Sequence, residues 1–307
     1  MFSWYKLLTA SITEKARAQD YVELCKPKVV LLMVFCVIVG VCLASPGIVP
    51  IDALIFSSVG VGLVASSAAV VNHLADSHID LKMARTQDRP IATGRISTIE
   101  GLLFSAFLGV AGTLILWFLV NPLTAWLNLA SWVGYGLVYT FFLKRATPQN
   151  IVIGGVFGAA PPLFGWTAVT NTIEPGGLLL VLIIFAWTPP HFWALALDRK
   201  EEYSKVGVPM LPVTHGEFYT RLHILLYTLL LTIVSLMPFL IDMSGFIYLI
   251  GAFLLAGGFL YFALALLLNK NSKIPMQTFR YSIFYLAALF MFLMVDHYYY
   301  LAYPMVA

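Results

Sequence analysis

The chain has 307 residues, 60% of them hydrophobic and only 11% charged, with a formal net charge of +3. That composition excludes both an ordinary soluble globule and a disordered chain, and so small a positive balance argues against nucleic acid as a partner. It leaves a protein whose main solvent is the lipid bilayer.

Apolar runs recur along the chain, most of them near the ~20 helical residues needed to cross a hydrocarbon core of ~30 Å. In order they cover 29–43, 53–71, 102–120, 124–143, 150–170, 177–196, 222–241, 246–268 and 281–302, and the short first run extends back toward Pro27. Backbone groups cannot go unpaired in lipid, so these runs predict helices packed as one bundle. The expected fold is all-α: a polytopic membrane protein with nine transmembrane helices forming a single domain over residues 1–307.

All eighteen Lys and Arg residues fall in the N-terminal segment or in every second connection between the runs. Lys6, Lys15, Arg17, Lys26 and Lys28 come first; Lys82, Arg85, Arg89 and Arg95 follow the second run; Lys144 and Arg145 follow the fourth. Arg199, Lys200, Lys205 and Arg221 follow the sixth, and Lys270, Lys273 and Arg280 follow the eighth. Basic connections stay cytoplasmic. The N-terminus is therefore expected inside and the C-terminus outside, where Tyr298, Tyr299, Tyr300 and Tyr303 read as an interfacial aromatic belt. Glu14, Asp20 and Glu23 in a segment without a cleavable apolar core argue against a secretory signal or transit peptide. A bacterial inner membrane is the simplest location. Cys25, Cys36 and Cys42 have no CxxC or zinc-like spacing and read as small apolar fillers.

The inner connections after the second and sixth runs are long, roughly 25 residues each, and loops of that length are uncommon unless they have work to do. Their acid-bearing segments, 72–80 and 198–202, lie at equivalent places in runs one to four and five to eight. That spacing suggests a weak internal duplication with a ninth helix appended.

Asn72, Asp76 and Asp80 are spaced i, i+4, i+8, which on a helix makes one stripe rising about 6 Å per step. Oxygen side chains on one face suit a hard cation such as Mg²⁺, which is commonly held by one or two carboxylates plus substrate phosphates. Arg85 and Arg89 follow at once, and guanidinium forks suit phosphate oxygens. The plainer alternative is a helix end leaving the membrane with solvated acids. Asp198 and Glu202 form a second i, i+4 pair after the sixth run, with Glu201 pointing elsewhere. At the end of the fourth run, Tyr139 precedes Lys144 and Arg145, whose default reading is a topology anchor that reaches up to headgroups. His191 lies in the cytoplasmic third of the sixth run, eleven residues before Glu202 and on the same face if the helix continues. A buried membrane His is costly and often functional. His78, His215 and His223 fall near the basic surface, and His297 near the outer end.

The run Asn72-His73-Leu74-Ala75-Asp76-Ser77-His78-Ile79-Asp80, followed by Arg85-Thr86 and Arg89-Pro90, resembles the signature of the UbiA-type intramembrane prenyltransferases, and the resemblance spans nearly the whole chain. Gly158-Ala159-Ala160-Pro161-Pro162, Thr188-Pro189-Pro190-His191-Phe192-Trp193 and the stretch from Gly207 to Pro212 resemble the protohaem IX farnesyltransferase branch. This resemblance implies transfer of a farnesyl group from farnesyl diphosphate to a vinyl group of haem b, with addition of water, to give haem O. It implies Mg²⁺ as cofactor, held by Asp76, Asp80, Asp198 and Glu202, with Asn72, Asp76, Asp80 and Glu202 as the catalytic set. It further implies Arg85, Arg89, Tyr139, Lys144 and Arg145 near the diphosphate, and His191 at the acceptor, where it could ligate iron or bond a propionate. Phe157, Trp166 or Trp193 are candidates to shield an allylic cation. The implied partners are the bilayer and, downstream, haem A synthase or terminal-oxidase assembly factors.

Two rival readings remain at this level. A quinone- or chlorophyll-pathway prenyltransferase would share the metal site and differ in the acceptor pocket. A secondary transporter would share intramembrane charge, although acids gathered at one surface fit alternating access poorly.

Overall fold

Helices α1 (Ala18–Leu24), α2 (Pro27–Ala44), α3 (Ile51–Asp80) and α4 (Thr98–Leu119) open a computed structural model that describes residues 17–269 and 271–302. Lys6, Lys15, Lys270 and Tyr303, all used in the topology reading, lie outside the described residues. The next helix, α5, begins as an α-helix at Pro122–Trp132, continues as a π-helix over Val133–Leu143 and closes with Lys144–Ala146. Then come α6 (Asn150–Gly158), α7 (Pro161–Thr170), α8 (Pro175–Asp198), α9 (Lys200–Lys205), α10 (Leu211–Thr214), α11 (Glu217–Leu240), α12 (Phe246–Leu268) and α13 (Ile274–Ala302). No strand occurs among the described residues.

Among the described residues, eight helical stretches are long and apolar enough to cross a membrane, so this is a multi-pass membrane protein. The sequence predicts nine. The difference lies at 124–143, which is helical throughout but changes hydrogen-bonding pattern at Val133 and so contains no single long α-helix. Thr140 Oγ1 donates to the carbonyl of Tyr135, five residues back, at 2.8 Å, which matches the i→i+5 spacing of a π turn. The run at 150–170 is also interrupted, at Ala159–Ala160, where Pro161 and Pro162 start a new helix because neither can supply an amide hydrogen.

Small residues set the closest helix crossings. A Cβ placed on Gly40 of α2 would lie 2.0 Å from the Pro162 carbonyl oxygen, and one on Gly165 of α7 would lie 2.0 Å from that of Val37. Backbone meets backbone here, the close approach that small residues allow in membrane bundles. The main core joins α2, α8, α11, α12 and α13 through residues such as Leu180, Ile183, Phe259, Tyr285 and Phe290. Cys36 and Cys42 are buried as fillers, and Cys25, Cys36 and Cys42 are all free thiols.

Two architectural features position the polar residues. Helix α3 is a single helix of 30 residues, so the stripe at 72–80 is its last part and not a loop. The acidic stretch at 198–202 behaves differently: α8 stops at Asp198, Arg199 leaves helical geometry (φ −107°, ψ 19°), and α9 begins anew. The conditional expectation that one continuous helix puts His191 and Glu202 on a shared face is therefore overturned.

Candidate active site

The stripe on α3 is buried. Asn72, Asp76 and Asp80 are 6%, 2% and 4% exposed, which removes the reading of solvated acids at a helix end. Burial of carboxylates is costly unless each is paired and hydrogen-bonded, and here cations from two other segments do the pairing. Lys144, at the end of α5, approaches Asp76 Oδ2 at 2.5 Å. Arg89 Nη1 reaches both oxygens of Asp80, at 2.9 and 2.8 Å. Lys26 donates to Asn72 Oδ1, and Asn72 Nδ2 donates to Asp76 Oδ2 at 3.0 Å. Arg145 Nη2 donates to the Ala75 carbonyl at 3.2 Å, and Thr86 Oγ1 to that of Asp80 at 3.1 Å.

Lys26 has no counterpart among the predicted site residues, because a lysine before a membrane span reads as a topology anchor. It sits just before α2 in left-handed backbone (φ 50°). Burial, with Arg89 and Lys144 nearby, pulls its ammonium pKa down to about 7 against the opposing pull of Asp76 and Asp80. The π-helical segment supplies another unforeseen residue. Tyr135 and Tyr139 stack with centroids 5.2 Å apart, and both lie within electrostatic reach of Asp76.

The second acidic segment is held by its own cation. Arg199 Nη1 bonds Glu202 Oε1 at 2.9 Å, and Arg199 Nε lies 3.2 Å from Asp198 Oδ2. Glu201 is exposed, as expected from its phase. The two acidic groups do not merge: among the described residues no three His, Cys, Asp or Glu side chains gather as a ready metal cage. Tyr203 lies within electrostatic reach of cations from both groups. Burial raises its hydroxyl pKa, while Arg85, Arg199 and Arg89 act to lower it and Glu202 to raise it. Arg85 itself is exposed.

Two carboxylate atoms test whether these residues suit a hard cation. Asp76 Oδ1 and Glu202 Oε2 are both buried without a hydrogen-bond partner, one in each acidic group. Unpaired, hard, anionic oxygens are the donor type that Mg²⁺ takes, so the residues present fit it.

The predicted acceptor residues divide. His191 is 8% exposed and lies between the rings of Trp187 and Phe279. Gly154 and Gly155 are filled by Tyr139 and Thr188, so close packing accounts for them; a Cβ on Gly158 would meet nothing within 4 Å. Trp166 and Trp193 are not at the site. Trp166 bonds Glu174 at the opposite end of the bundle, at 2.9 Å. Trp193 is fully buried against Tyr227 and His223 of α11. Phe157 packs against the backbone of Gly134.

Comparison with known proteins gives the chain's family. Residues 33–303 match the UbiA prenyltransferase family. A protein of Teredinibacter turnerae named protoheme IX farnesyltransferase is 59% identical over 290 residues, covering 94% of this chain and 93% of the relative. One of the same name from Saccharophagus degradans is 60% identical over 280 residues, covering 91% and 92%. Among solved structures, a digeranylgeranylglyceryl phosphate synthase superposes with a TM-score of 0.77 at 22% identity, over 91% of this chain and 98% of that one. A UbiA homologue from Archaeoglobus fulgidus bound to DMAPP and Mg²⁺ gives 0.61 at 16% identity, over 89% and 99%. The structural likenesses establish the fold, and the sequence matches establish the lineage: this chain belongs to the UbiA prenyltransferase family.

Proposed function

We propose that this enzyme transfers the farnesyl group of farnesyl diphosphate to a vinyl group of haem b, with addition of water, giving haem O. The observation that carries the reading is the common name of relatives that match almost end to end. The buried stripe of Asn72, Asp76 and Asp80, ringed by Lys26, Arg89 and Lys144, supports the diphosphate half of it.

Mg²⁺ ions, held by Asp76 and Asp80 on one side and by Glu202 with Asp198 on the other, would supply Lewis acidity toward the diphosphate oxygens. The protein's own cations do the rest of the leaving-group work. Lys144, Arg145, Arg85 and Arg89 spread the negative charge that grows as the C1–O bond of the farnesyl chain breaks. Asn72 orients Asp76 through its amide. The stacked rings of Tyr135 and Tyr139 offer their π faces to the allylic cation, and the apolar walls delay its capture by water. The acceptor vinyl group attacks that cation, and water adds to the carbon beside the porphyrin and loses a proton. His191 belongs to the acceptor side in this reading.

We also read α5 as a ninth crossing, which puts the N-terminus and the site at the cytoplasmic face of a bacterial inner membrane and the C-terminus outside. The chain is then one prenyltransferase domain, with a four-helix repeat plus one. Haem A synthase or oxidase assembly factors would receive the product.

The test is to incubate purified protein with haem b, farnesyl diphosphate and Mg²⁺ and to weigh the porphyrin product by mass spectrometry. A product heavier by one farnesyl group and one hydroxyl group is expected, and EDTA should stop its formation. Prenylation of 4-hydroxybenzoate with haem left untouched would overturn the acceptor assignment.

A further inference from the structure

We propose that His191 ligates the iron of the acceptor haem through Nε2, and that Ser282 is the positioning residue that selects this nitrogen. The proposal rests on the reading of haem b as acceptor and adds to it a specific atom and its support.

A serine hydroxyl has one hydrogen to donate. That of Ser282 goes to the carbonyl of Phe279, one turn back on α13, at 2.7 Å. Toward His191 Nδ1, also at 2.7 Å, the hydroxyl oxygen is then the acceptor. With the hydroxyl hydrogen on that carbonyl, the proton of the neutral imidazole sits on Nδ1 and Nε2 carries the lone pair. Among the described residues Nε2 makes no hydrogen bond. A ring whose Nδ1–H is anchored and whose Nε2 is free is the form in which histidine ligates metals.

The ring is also fixed in orientation. Trp187 stacks on one face (centroids 4.1 Å apart, planes 20° apart) and Phe279 on the other (4.5 Å, 25°). Phe192 meets it edge-on at 5.0 Å. Trp187 is itself held, because its indole Nε1 donates to the Ser282 carbonyl at 2.7 Å. One residue thus anchors both the imidazole and the ring that covers it, and the Nε2 edge is what remains to present. His191 precedes Asp198 by seven residues on α8, two turns or about 10 Å along the axis.

Among the described residues, no other histidine joins an anchored Nδ1–H to stacked rings on both faces. His73 is buried with both nitrogens unpartnered, so nothing selects its tautomer. His223 donates Nδ1–H to the Tyr219 carbonyl, and His215 pairs with Thr214, but both lie in the exposed column of rings at the start of α11.

The experiment titrates the full-length protein in nanodiscs with haem b and, separately, with metal-free protoporphyrin IX. Soret absorbance and resonance Raman report the binding. Wild type should show a histidine-ligated haem. His191→Ala should lose that signature and about tenfold or more in haem affinity while binding protoporphyrin IX as wild type does, and added imidazole should restore the signature. Ser282→Ala should weaken the iron–histidine band, and Ser282→Thr should recover it. An intact histidine signature in His191→Ala overturns the assignment, as does an equal loss of both porphyrins, which would mean packing alone. If wild type converts haem b but His191→Ala keeps the signature, only the ligand assignment fails. If wild type binds neither porphyrin and prenylates another acceptor, the haem reading fails with it.

Discussion

The two ends of the bundle bury carboxylates in opposite ways. At the α3 end, Asp76 and Asp80 are neutralised by Lys144 and Arg89, residues on long side chains from other segments. At the other end, Asp296 of α13 is fully buried and has no cation partner among the described residues. It accepts the amide hydrogens of Gly245 and of Tyr248, the latter at 3.1 Å, where α12 begins. A carboxylate at a helix N-terminus satisfies orphan amides and the helix dipole together. Backbone amides cannot leave, so that arrangement is permanent. Lysine and arginine side chains can rotate toward a phosphate, so the α3 arrangement can change partners. The same residue type serves as a fastener at one end and as an exchangeable ligand at the other.

That contrast breaks most visibly at Asp76. Asp76→Ala should cut kcat by roughly 10²–10³-fold while the protein still inserts and runs as a monodisperse peak, and Asp80→Ala should behave alike; near-normal turnover would sink the metal assignment. Lys144→Met comes next, with an expected loss of about tenfold or more in kcat/KM as measured against farnesyl diphosphate concentration. An unchanged value would mean that Lys144 is only a membrane anchor. Asp296→Ala should do the converse. Leaving two buried amides unpaired should cost about 1–3 kcal/mol, seen as a lower midpoint in a thermal unfolding scan, with Mg²⁺ dependence and kcat unchanged. A shift in metal dependence would show that the two ends are coupled.

The smallest effect belongs to Arg95→Gln. Its partner Asp20, 2.9 Å away, has its carboxyl held below the usual range first by the Arg17 amide and then by Arg95. A partly exposed pair of this kind contributes at most about 1 kcal/mol. Because the folded-state pKa is depressed, that stability is present above the ordinary carboxylate range and disappears as pH falls through the folded value. A wild-type-minus-variant difference that persisted at low pH would contradict it.

Much of this was legible from spacing. The i, i+4, i+8 stripe needed only helical period, and the basic residues after alternate runs marked one face. What escaped was whatever depends on partners distant in sequence. Lys26 looks like any lysine before a span, and its role appears only when α2 and α3 pack so that it meets Asn72, 46 residues away. Ser282 is 91 residues from His191. The change from α to π bonding at Val133 leaves no mark in a hydropathy pattern, because both helices bury apolar residues equally well. Trp166 and Trp193 were misread for a related reason: composition marks an aromatic as available, and only packing says which wall it faces.

The wide turns of the Val133–Leu143 segment carry a consequence for inheritance. Removing one residue there, Val138 for example, while the remaining turns keep their bonding would rotate everything downstream by one residue's step about the helix axis. Lys144 would swing off Asp76 with its own codon untouched. Deletions inside an apolar stretch are usually judged by the length they remove, but in this segment the cost lies in angle.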